Sequence, residues 1–571
     1  MHNVLRHADG ASTAVRSGFA RNARPQRPAA TPRAGRSVLN FIPVTSEPLA
    51  ASPANTENSP TEDAQNGHAD GQGPSRDEPG RHAERQTADW DIRNAPKNYV
   101  SLVAAHVATA FFSFASVWLL TRKIGSEGYG AIVAFVAASQ LAQIFLNWSS
   151  TALARFGIEE FVETGKITRS FWARTLLFFP NLALVLVLAA FWLHPVAAWL
   201  KIPDAVVWLI AIHLFVTSVW LHVQYALQGV KMLWLQGALL AVERTLTFAG
   251  LLAIVGFGEL TLNGALWCYI APAFVLSIFG LVLLRPFIEL KGFFDREHFR
   301  KMLVYSLPLI PFAVVGYLST SQLDAFFITR YLSTSDLGIY AVAAQINSLV
   351  LQLPILANSV LLSMFVSLRA TGQNALISKF LNDIIPSAAL VWGVICIVGA
   401  TIGALLIPIV FGEIFQPAAG PLVILIMASV VSSLSMFGYA TYSHSISATY
   451  ISTVASVLAA TTNVALDLLL IPRWGLIGCA MATFFSQAVL GAAVVWLCAY
   501  KTPVSFRKVS FAMAAPIVGV VLFFWSGSEM IAVAAFLITT VVAAMVVRDA
   551  LKTAFLYAFG RLSGGRATTS N

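Results

Sequence analysis

Two long apolar runs joined by one short polar turn decide the fold of this chain. Residues 99–153 read YVSLVAAHVATAFFSFASVWLL, then TRKIGSEGYG, then AIVAFVAASQLAQIFLNWSSTAL. Each run is long enough to cross roughly 30 Å of hydrocarbon as a helix. Because lipid offers the backbone no hydrogen-bond partner, a spanning segment must be a helix or part of a closed barrel. The apolar residues are continuous rather than alternating, which predicts helices.

The same pattern recurs as far as residue 547. Charged residues make up 11% of the chain, apolar residues make up 57%, and the mean hydropathy is +0.71. A soluble domain carries roughly 25% charged residues, so the composition predicts an all-α integral membrane protein. We predict about fourteen transmembrane helices, at residues 99–121, 129–153, 172–193, 205–225, 235–257, 264–284, 303–328, 337–364, 385–411, 420–441, 449–471, 475–499, 509–526 and 529–547.

The two ends of the chain differ from this apolar middle. Residues 1–98 are rich in Arg, Pro, Ala, Ser and Gly and contain no apolar run, so they cannot bury enough surface to fold alone. We predict a disordered cytoplasmic tail there and a second cytoplasmic tail at residues 548–571. Residues 1–41 hold seven Arg and one acidic residue, a composition that a transit peptide also has.

Positive charge is distributed unevenly over the predicted loops. With the N-terminus in the cytoplasm, the inside loops and the C-terminal tail hold 19 Lys and Arg, and the outside loops hold five. Cytoplasmic loops of membrane proteins carry such an excess. We therefore predict a multi-pass inner-membrane protein with both termini in the cytoplasm. The formal charge of +9 comes from the tail and these loops, so it does not indicate a nucleic-acid partner.

The turn between the first two spans recurs later in the chain. Residues 121–130 read TRKIGSEGYG, and residues 329–338, which lie 208 positions later, read TRYLSTSDLG. Six predicted spans separate the two copies, and six is an even number. Both halves of the chain therefore have one orientation, and a parallel repeat of this kind relates them by an axis along the membrane normal. The basic connector that begins at Arg285 is the expected link between the halves.

Three stretches resemble one family of membrane proteins. They are LLTRKIGSEGYG at residues 119–130, LDAFFI through GIY at residues 323–340, and NVALDLLLIPRWGLIGCA at residues 463–480. Their sequences and order resemble bacterial polysaccharide biosynthesis membrane proteins. These are the Wzx-type oligosaccharide flippases of the larger family that includes MATE exporters and the lipid II flippase. The resemblance covers residues 99 to about 550.

The resemblance implies an architecture of two pseudo-symmetric six-helix lobes around a central cavity. The first lobe would comprise residues 99–284 and the second residues 303–499, joined by a basic cytoplasmic linker at residues 285–302. Residues 500–547 would form two additional C-terminal helices.

The resemblance also implies the substrate and the partners. The substrate would be undecaprenyl diphosphate carrying a short oligosaccharide, flipped from the cytoplasmic to the periplasmic leaflet for the assembly of O-antigen, capsule or exopolysaccharide. Glycan and diphosphate would cross through the cavity, by alternating access driven by an ion gradient, while the polyprenyl tail stays in lipid. The expected partners are this lipid-linked oligosaccharide, membrane lipids, a polysaccharide polymerase and a chain-length regulator.

Arg244 is the candidate ligand for the diphosphate. It lies about nine residues beyond the predicted cytoplasmic end of the fifth span, which places it roughly 14 Å deep at 1.5 Å per residue. A charge at this depth is costly and usually faces protein or water. The planar guanidinium suits phosphate. The alternative is an ion pair within the helix bundle, for which the adjacent Glu243 is a poor partner because it points about 100° away on the helix.

Asp324 and Asp467 are the candidate residues for ion coupling. They lie in the outer thirds of the seventh and eleventh predicted spans. A carboxylate within a membrane either pairs with a cation or exchanges a proton or coupling ion. The alternative is that they pair with Arg330 and Arg473, which lie near the same face of the membrane.

The eighth predicted span carries the candidate sugar contacts Gln345, Asn347 and Gln352. Amide side chains can bind sugar hydroxyls, but they also join transmembrane helices by hydrogen bonds. Gln345 and Gln352 are seven residues apart and therefore share one face of a helix.

Three other functions compete with that of a flippase. A MATE-type ion-coupled multidrug exporter would share the frame but would favour an acidic and aromatic cavity, whereas Arg244 favours an anionic substrate. An enzyme of glycan assembly would need an acidic metal site or a large outer loop, and the sequence indicates neither. A scaffold for a glycan-assembly complex remains open. The four cysteines have no metal-ligand spacing, and we predict no catalytic residue, no metal and no cofactor.

Overall fold

The computed structural model describes residues 79–546 and 548 of the chain, apart from residues 291, 293, 308, 319, 320 and 447. Side chains are described from residue 103, with additional gaps at 309, 312, 321, 353–360, 363, 370, 436 and 437. The predicted C-terminal tail therefore lies almost wholly outside the described residues, as does the predicted N-terminal tail as far as residue 78.

Helices account for nearly all of the described chain, and no strand occurs among the described residues. The helices of the first half are α1 Pro79–Asn147, α2 Ser150–Thr164, α3 Thr168–Trp199, α4 Asp204–Gly229, α5 Leu233–Phe257 and α6 Leu262–Leu284. Those of the second half are α7 Arg296–Ser306, α8 Leu309–Leu318, α9 Ser321–Tyr331, α10 Thr334–Ala370, α11 Asn374–Lys379, α12 Ile385–Phe411, α13 Ala419–Leu434, α14 Ala440–Ser445 and α15 Tyr450–Ala499. The C-terminal helices are α16 Phe506–Ser526 and α17 Glu529–Val546.

Ten helices within the described residues are long and apolar enough to cross a membrane. The prediction of an all-α membrane protein is therefore confirmed, while the predicted number of fourteen spans is not established. Two of these helices, Val103–Asn147 and Tyr450–Ala499, each contain two of the predicted spans. Their backbones leave the helical conformation at Gly125 (φ 69°) and Gly475 (φ 57°). Glycine adopts a positive φ without steric cost, which explains why the chain turns there.

Helix α1 begins at Pro79, twenty residues before the predicted boundary of the tail. The backbone of residues 79–98 is therefore helical, whereas the sequence analysis predicts a disordered tail as far as residue 98. The physical reason is that helix propagation is much easier than nucleation, so a long apolar helix can extend into polar residues.

The seventh predicted span and the linker also differ from expectation. The predicted span at residues 303–328 is divided among α7, α8 and α9, and α7 begins inside the predicted linker. Asp295 caps α7, because its Oδ1 accepts hydrogen bonds from the backbone N–H groups of Glu297 (3.0 Å) and His298 (3.2 Å). An Asp at this position satisfies backbone donors that a helix start leaves free, so helix formation begins earlier than hydropathy alone indicates.

The helices of each half pack mainly on one another. In the first half, α1 packs on α5 and α4 packs on α6, and in the second half α13 packs on α12 and α15. Helices α1 and α10 pack on each other between the halves, and α16 and α17 pack on α12 and α13. Small residues permit close approach, as expected for helices in membranes. A Cβ atom on Gly157 of α2 would lie 3.2 Å from the Cα of Gly229 on α4.

Candidate transport site

A cavity of about 230 Å³ lies between the two halves of the chain. Most of its lining comes from helices α1, α5 and α6 of the first half, and Gln322 of α9 and Gln345 of α10 complete it from the second half. Arg244 of α5 is the charged residue of the lining, and its side chain is 36% exposed. The structure therefore brings the predicted phosphate ligand and one predicted sugar contact into one cavity.

Arg244 also has an acidic neighbour. Its Nη2 atom lies 3.9 Å from Oε1 of Glu243, whose Oε2 accepts a hydrogen bond from Trp220 Nε1 at 2.8 Å. Glu243 approaches Arg244 although their Cα–Cβ bonds point about 100° apart, because two long side chains can converge. The contact is long for an ion pair, so the guanidinium retains donors for a ligand in the cavity.

The three predicted sugar contacts have different surroundings. Gln345 lines the cavity, beside Gln322, whose buried Oε1 has no hydrogen-bond partner among the described residues. Asn347 instead accepts a hydrogen bond from Ser429 of α13 at 2.6 Å, which is the interhelical alternative. Gln352 is half-buried on α10 and is not part of the cavity lining.

Asp324 and Asp467 meet in one buried cluster, although they lie on different helices. Their side chains are 1% and 0% exposed. The Asn463 amide nitrogen donates to Asp467 Oδ2 at 2.9 Å and is 3.5 Å from Asp324 Oδ1. Tyr340 donates its hydroxyl hydrogen to Asp324 Oδ2 at 2.9 Å. No ion pair joins either aspartate to Arg330 or Arg473 within the described part of the chain, and Arg330 instead lies 5.6 Å from the Trp199 ring centroid.

This cluster can hold a cation. One ligand atom from each of Asp324, Asp467 and Cys479 lies within 4.8 Å of the others. Oδ1 of Asp467 is buried without a hydrogen-bond partner among the described residues. Two buried carboxylates at this separation repel each other when both are ionised, so a proton or a small cation would stabilise the pair. Sequence spacing did not indicate Cys479, because the turn at Gly475 separates it from Asp467.

Arg174 of α3 is a functional candidate that the sequence analysis did not identify. Its side chain is fully buried. It donates to Asn147 Oδ1 at 2.9 Å and to Ser150 Oγ at 2.8 Å, and its Nη1 lies 2.8 Å from His222 Nδ1. Asn147 and Ser150 flank the break between α1 and α2, and His222 lies on α4, so the guanidinium joins α3 to three other helices. The signal available in the sequence was that Arg174 lies just inside the predicted third span.

The end of the interface opposite the linker is closed by polar contacts between the halves. Oγ of Ser126 lies 2.6 Å from Oγ of Ser335, which joins the two repeat turns. Lys201 donates to the Leu332 carbonyl oxygen at 2.6 Å, and the guanidinium of Arg122 donates to the carbonyl oxygens of Ile409 and Val410. These contacts join the two halves at this end of the interface.

Known proteins share part of the sequence or the architecture of this chain. A family model described as polysaccharide biosynthesis protein matches residues 95–369. The lipid II flippase MurJ, in an inward closed conformation, is similar to this chain with a TM-score of 0.60 at 13% identity, over 79% of this chain and 99% of that one. A multidrug resistance MATE family transporter of the MOP superfamily, in an inward-facing conformation, has a TM-score of 0.50 at 12% identity, over 73% of this chain and 99% of that one. No curated protein sequence matches the chain.

Identities this low show a shared fold rather than a shared substrate. Together with the family match, they support the resemblance drawn from the sequence, of which the first two stretches lie within the matched residues. Residues 95–369 thus match the family of polysaccharide biosynthesis proteins, and the chain shares its fold with the lipid II flippase and the MATE family transporter.

Proposed function

We propose that this protein flips an oligosaccharide linked to undecaprenyl diphosphate from the cytoplasmic to the periplasmic leaflet of the bacterial inner membrane. The observation that carries the proposal is the cavity between the halves, in which Arg244 and Gln345 lie together. Arginine binds phosphate oxygens through two parallel N–H donors, and amides bind sugar hydroxyls. The cavity thus combines the chemistry that a diphosphate joined to a glycan needs.

The size of the cavity implies a conformational change. A volume of about 230 Å³ is below the roughly 300–1,000 Å³ of pockets for drug-sized ligands, so the halves must separate to admit an oligosaccharide. The polar contacts at the end opposite the linker favour entry from the linker side. Alternating access would then break these contacts and release the glycan on the other side, while the polyprenyl chain remains in lipid.

The buried pair Asp324 and Asp467 supports coupling of this change to an ion gradient. A bound proton or cation neutralises the pair, and its loss leaves two desolvated charges facing each other. Binding at this cluster would therefore favour one packing of α9 against α15 over another. The proposal also includes cytoplasmic termini, and a polysaccharide polymerase and a chain-length regulator as partners that receive the flipped product.

A MATE-type exporter of cationic drugs is the second candidate. Tyr129 and Tyr269 line the same cavity, and aromatic faces attract organic cations. Arg244 opposes this reading, because it would repel a cationic substrate from a cavity that excludes much of the surrounding water.

Transport in proteoliposomes tests the proposal. A fluorescent or radiolabelled polyprenyl-diphosphate oligosaccharide should cross faster in vesicles with the wild-type protein than in protein-free vesicles, whereas organic cations should not. Transport of organic cations without flipping of the lipid-linked sugar would contradict the proposal and support the exporter.

A further inference from the structure

A second cavity opens on the outside of the first half, at the linker side of the membrane. It has a volume of about 360 Å³ and lies between α3, α6 and the start of the linker. Apolar side chains form most of its walls, among them Phe171 of α3 and Ile278, Leu281 and Val282 of α6. Ile278 and Val282 are 51% and 63% exposed. We call this cavity the α3–α6 groove.

The rim of the α3–α6 groove is held in place by hydrogen bonds. Trp172 Nε1 donates to the carbonyl oxygen of Glu289 at 2.9 Å, and the Glu289 backbone N–H donates to Thr168 Oγ1 at 3.0 Å. The Ile167 backbone N–H donates to the carbonyl oxygen of Phe287 at 2.9 Å. The start of the linker is therefore fixed to the first turn of α3, and the groove is formed before any ligand binds.

The charge at the mouth of the groove is positive. Glu289 and Arg285 both contribute to the lining, and Glu289 is ion-paired with Lys166. Within the described residues no carboxylate lies within ion-pair distance of Arg285, which is exposed. The mouth therefore presents one uncompensated guanidinium above an apolar channel.

Exposed apolar and basic side chains also lie next to each other in the rest of the linker. Leu290 and Phe294 are 79% and 53% exposed, although neither belongs to a predicted span. The exposed Arg296 and Arg300 lie on the first two turns of α7. Large apolar side chains beside cations are typical of a segment that lies in the membrane interface. Basic clusters directly beside transmembrane helices attract anionic lipid head groups.

We propose that the α3–α6 groove binds one anionic phospholipid from the adjacent leaflet. One acyl chain lies along Ile278 and Val282, and the phosphate accepts hydrogen bonds from Arg285. Charge complementarity selects the occupant, since an anionic head group attracts the guanidinium more strongly than a zwitterionic one does. The bound lipid fastens the linker between the halves to the membrane surface. This inference does not depend on the substrate of the central cavity.

Lipid retention by the purified full-length protein, measured by native mass spectrometry, tests the proposal. We expect phosphatidylglycerol to be retained more strongly than phosphatidylcholine with the same acyl chains. Arg285→Gln should weaken the retention of phosphatidylglycerol about fivefold, the effect of one basic residue near a membrane surface. The matched control is Arg507→Gln, which removes an exposed Arg at the start of α16, away from the groove.

A second pair of variants tests the acyl-chain channel without a change in charge. Val282→Trp fills the groove and should reduce retention, whereas Val275→Trp, two turns earlier on α6 and outside the lining, should not. Equal retention of the two lipids, or equal retention by wild type and Arg285→Gln, would overturn the proposal. Displacement of phosphatidylglycerol by equimolar undecaprenyl diphosphate would also overturn it, by assigning the groove to a different lipid.

Discussion

Gly130 and Gly338 occupy equivalent positions of the two repeat turns and face each other across the interface between the halves. A Cβ atom on Gly130 would lie 2.9 Å from the backbone nitrogen of Gly338, and one on Gly338 would lie 3.0 Å from the backbone nitrogen of Gly130. Each would also overlap a carbonyl oxygen of the opposite turn. The two repeat turns therefore contact each other where the halves meet, and the contact leaves no room for a side chain at either glycine.

Replacement of either glycine should open this contact. Gly338→Ala should destabilise the closed end by about 1–3 kcal/mol, the usual cost of overpacking, and so shift the population roughly 5–150-fold toward separated ends. Spin-label distances between α1 and α10 at that end should lengthen, and transport should slow. Gly399→Ala is the matched control, because open space surrounds Gly399. Unchanged distances in Gly338→Ala would show that the contact does not hold the halves together.

Arg244 should contribute to transport through its hydrogen-bonding geometry as well as its charge. Arg244→Ala should slow flipping of the lipid-linked oligosaccharide roughly 10–100-fold, since a charge-assisted hydrogen bond contributes about 1.5–3 kcal/mol. Arg244→Lys should retain part of the rate, because it keeps the charge without the planar fork. Initial flipping rates in proteoliposomes give both values, with Arg507→Ala as the control. If both Arg244 variants transport at the wild-type rate, the residue does not bind the diphosphate.

The aspartate cluster should determine the dependence of transport on ions. Asp467→Asn should abolish the acceleration of transport by an imposed proton or sodium gradient, because the pair then carries one negative charge at most. The measurement compares initial rates with and without each gradient. Glu413→Gln, which alters an exposed acid near the end of α12, should leave the acceleration intact. If transport by Asp467→Asn responds to the gradients as strongly as transport by the wild type, the cluster does not couple transport to an ion gradient.

The buried network around Arg174 should show strong coupling between its members. Asn147→Leu should lower the unfolding temperature, because it leaves guanidinium donors without an acceptor, at a cost of about 1–3 kcal/mol. In the double variant Arg174→Met with Asn147→Leu, both partners are apolar, and the unfolding temperature should recover in part. Thermal unfolding in detergent measures the full double-mutant cycle. Strict additivity of the two changes would contradict the coupling.

His298 should make the docking of α7 on α3 sensitive to pH. Its Nε2 lies 2.9 Å from Ser170 Oγ, and burial lowers the pKa of the imidazole below its ordinary value of 6.5. The imidazole has a lower pKa when α7 is docked than when α7 is undocked, so the undocked form binds more protons. Docking of α7 therefore weakens as the pH falls below about 6.5. Hydrogen–deuterium exchange of α7, corrected for intrinsic rates, should be faster at pH 5.5 than at pH 7.5. His298→Gln should show no such difference, and an equal pH response in that variant would exclude His298 as the cause.

The local sequence predicted the class of the fold because each segment carries its own constraint. An apolar run of about twenty residues in lipid must satisfy its backbone internally, which requires a helix whatever its neighbours are. The positive φ angles at Gly125 and Gly475 are likewise local, because glycine adopts them without steric cost wherever the rest of the chain lies. The start of α7 was predicted less well, since a single cap at Asp295 outweighed the hydropathy pattern.

The partners of the polar side chains were decided by the tertiary structure. The hydropathy pattern identified Asp324 and Asp467 as charged residues that are energetically costly within a membrane span. Their meeting beside Cys479 depends on how α9 and α15 rotate and cross. The same applies to Arg174, whose acceptors lie on α1, α2 and α4. Position along a helix determines depth in the membrane, whereas contact depends on rotation about the helix axis, and only the packing of all helices determines that rotation.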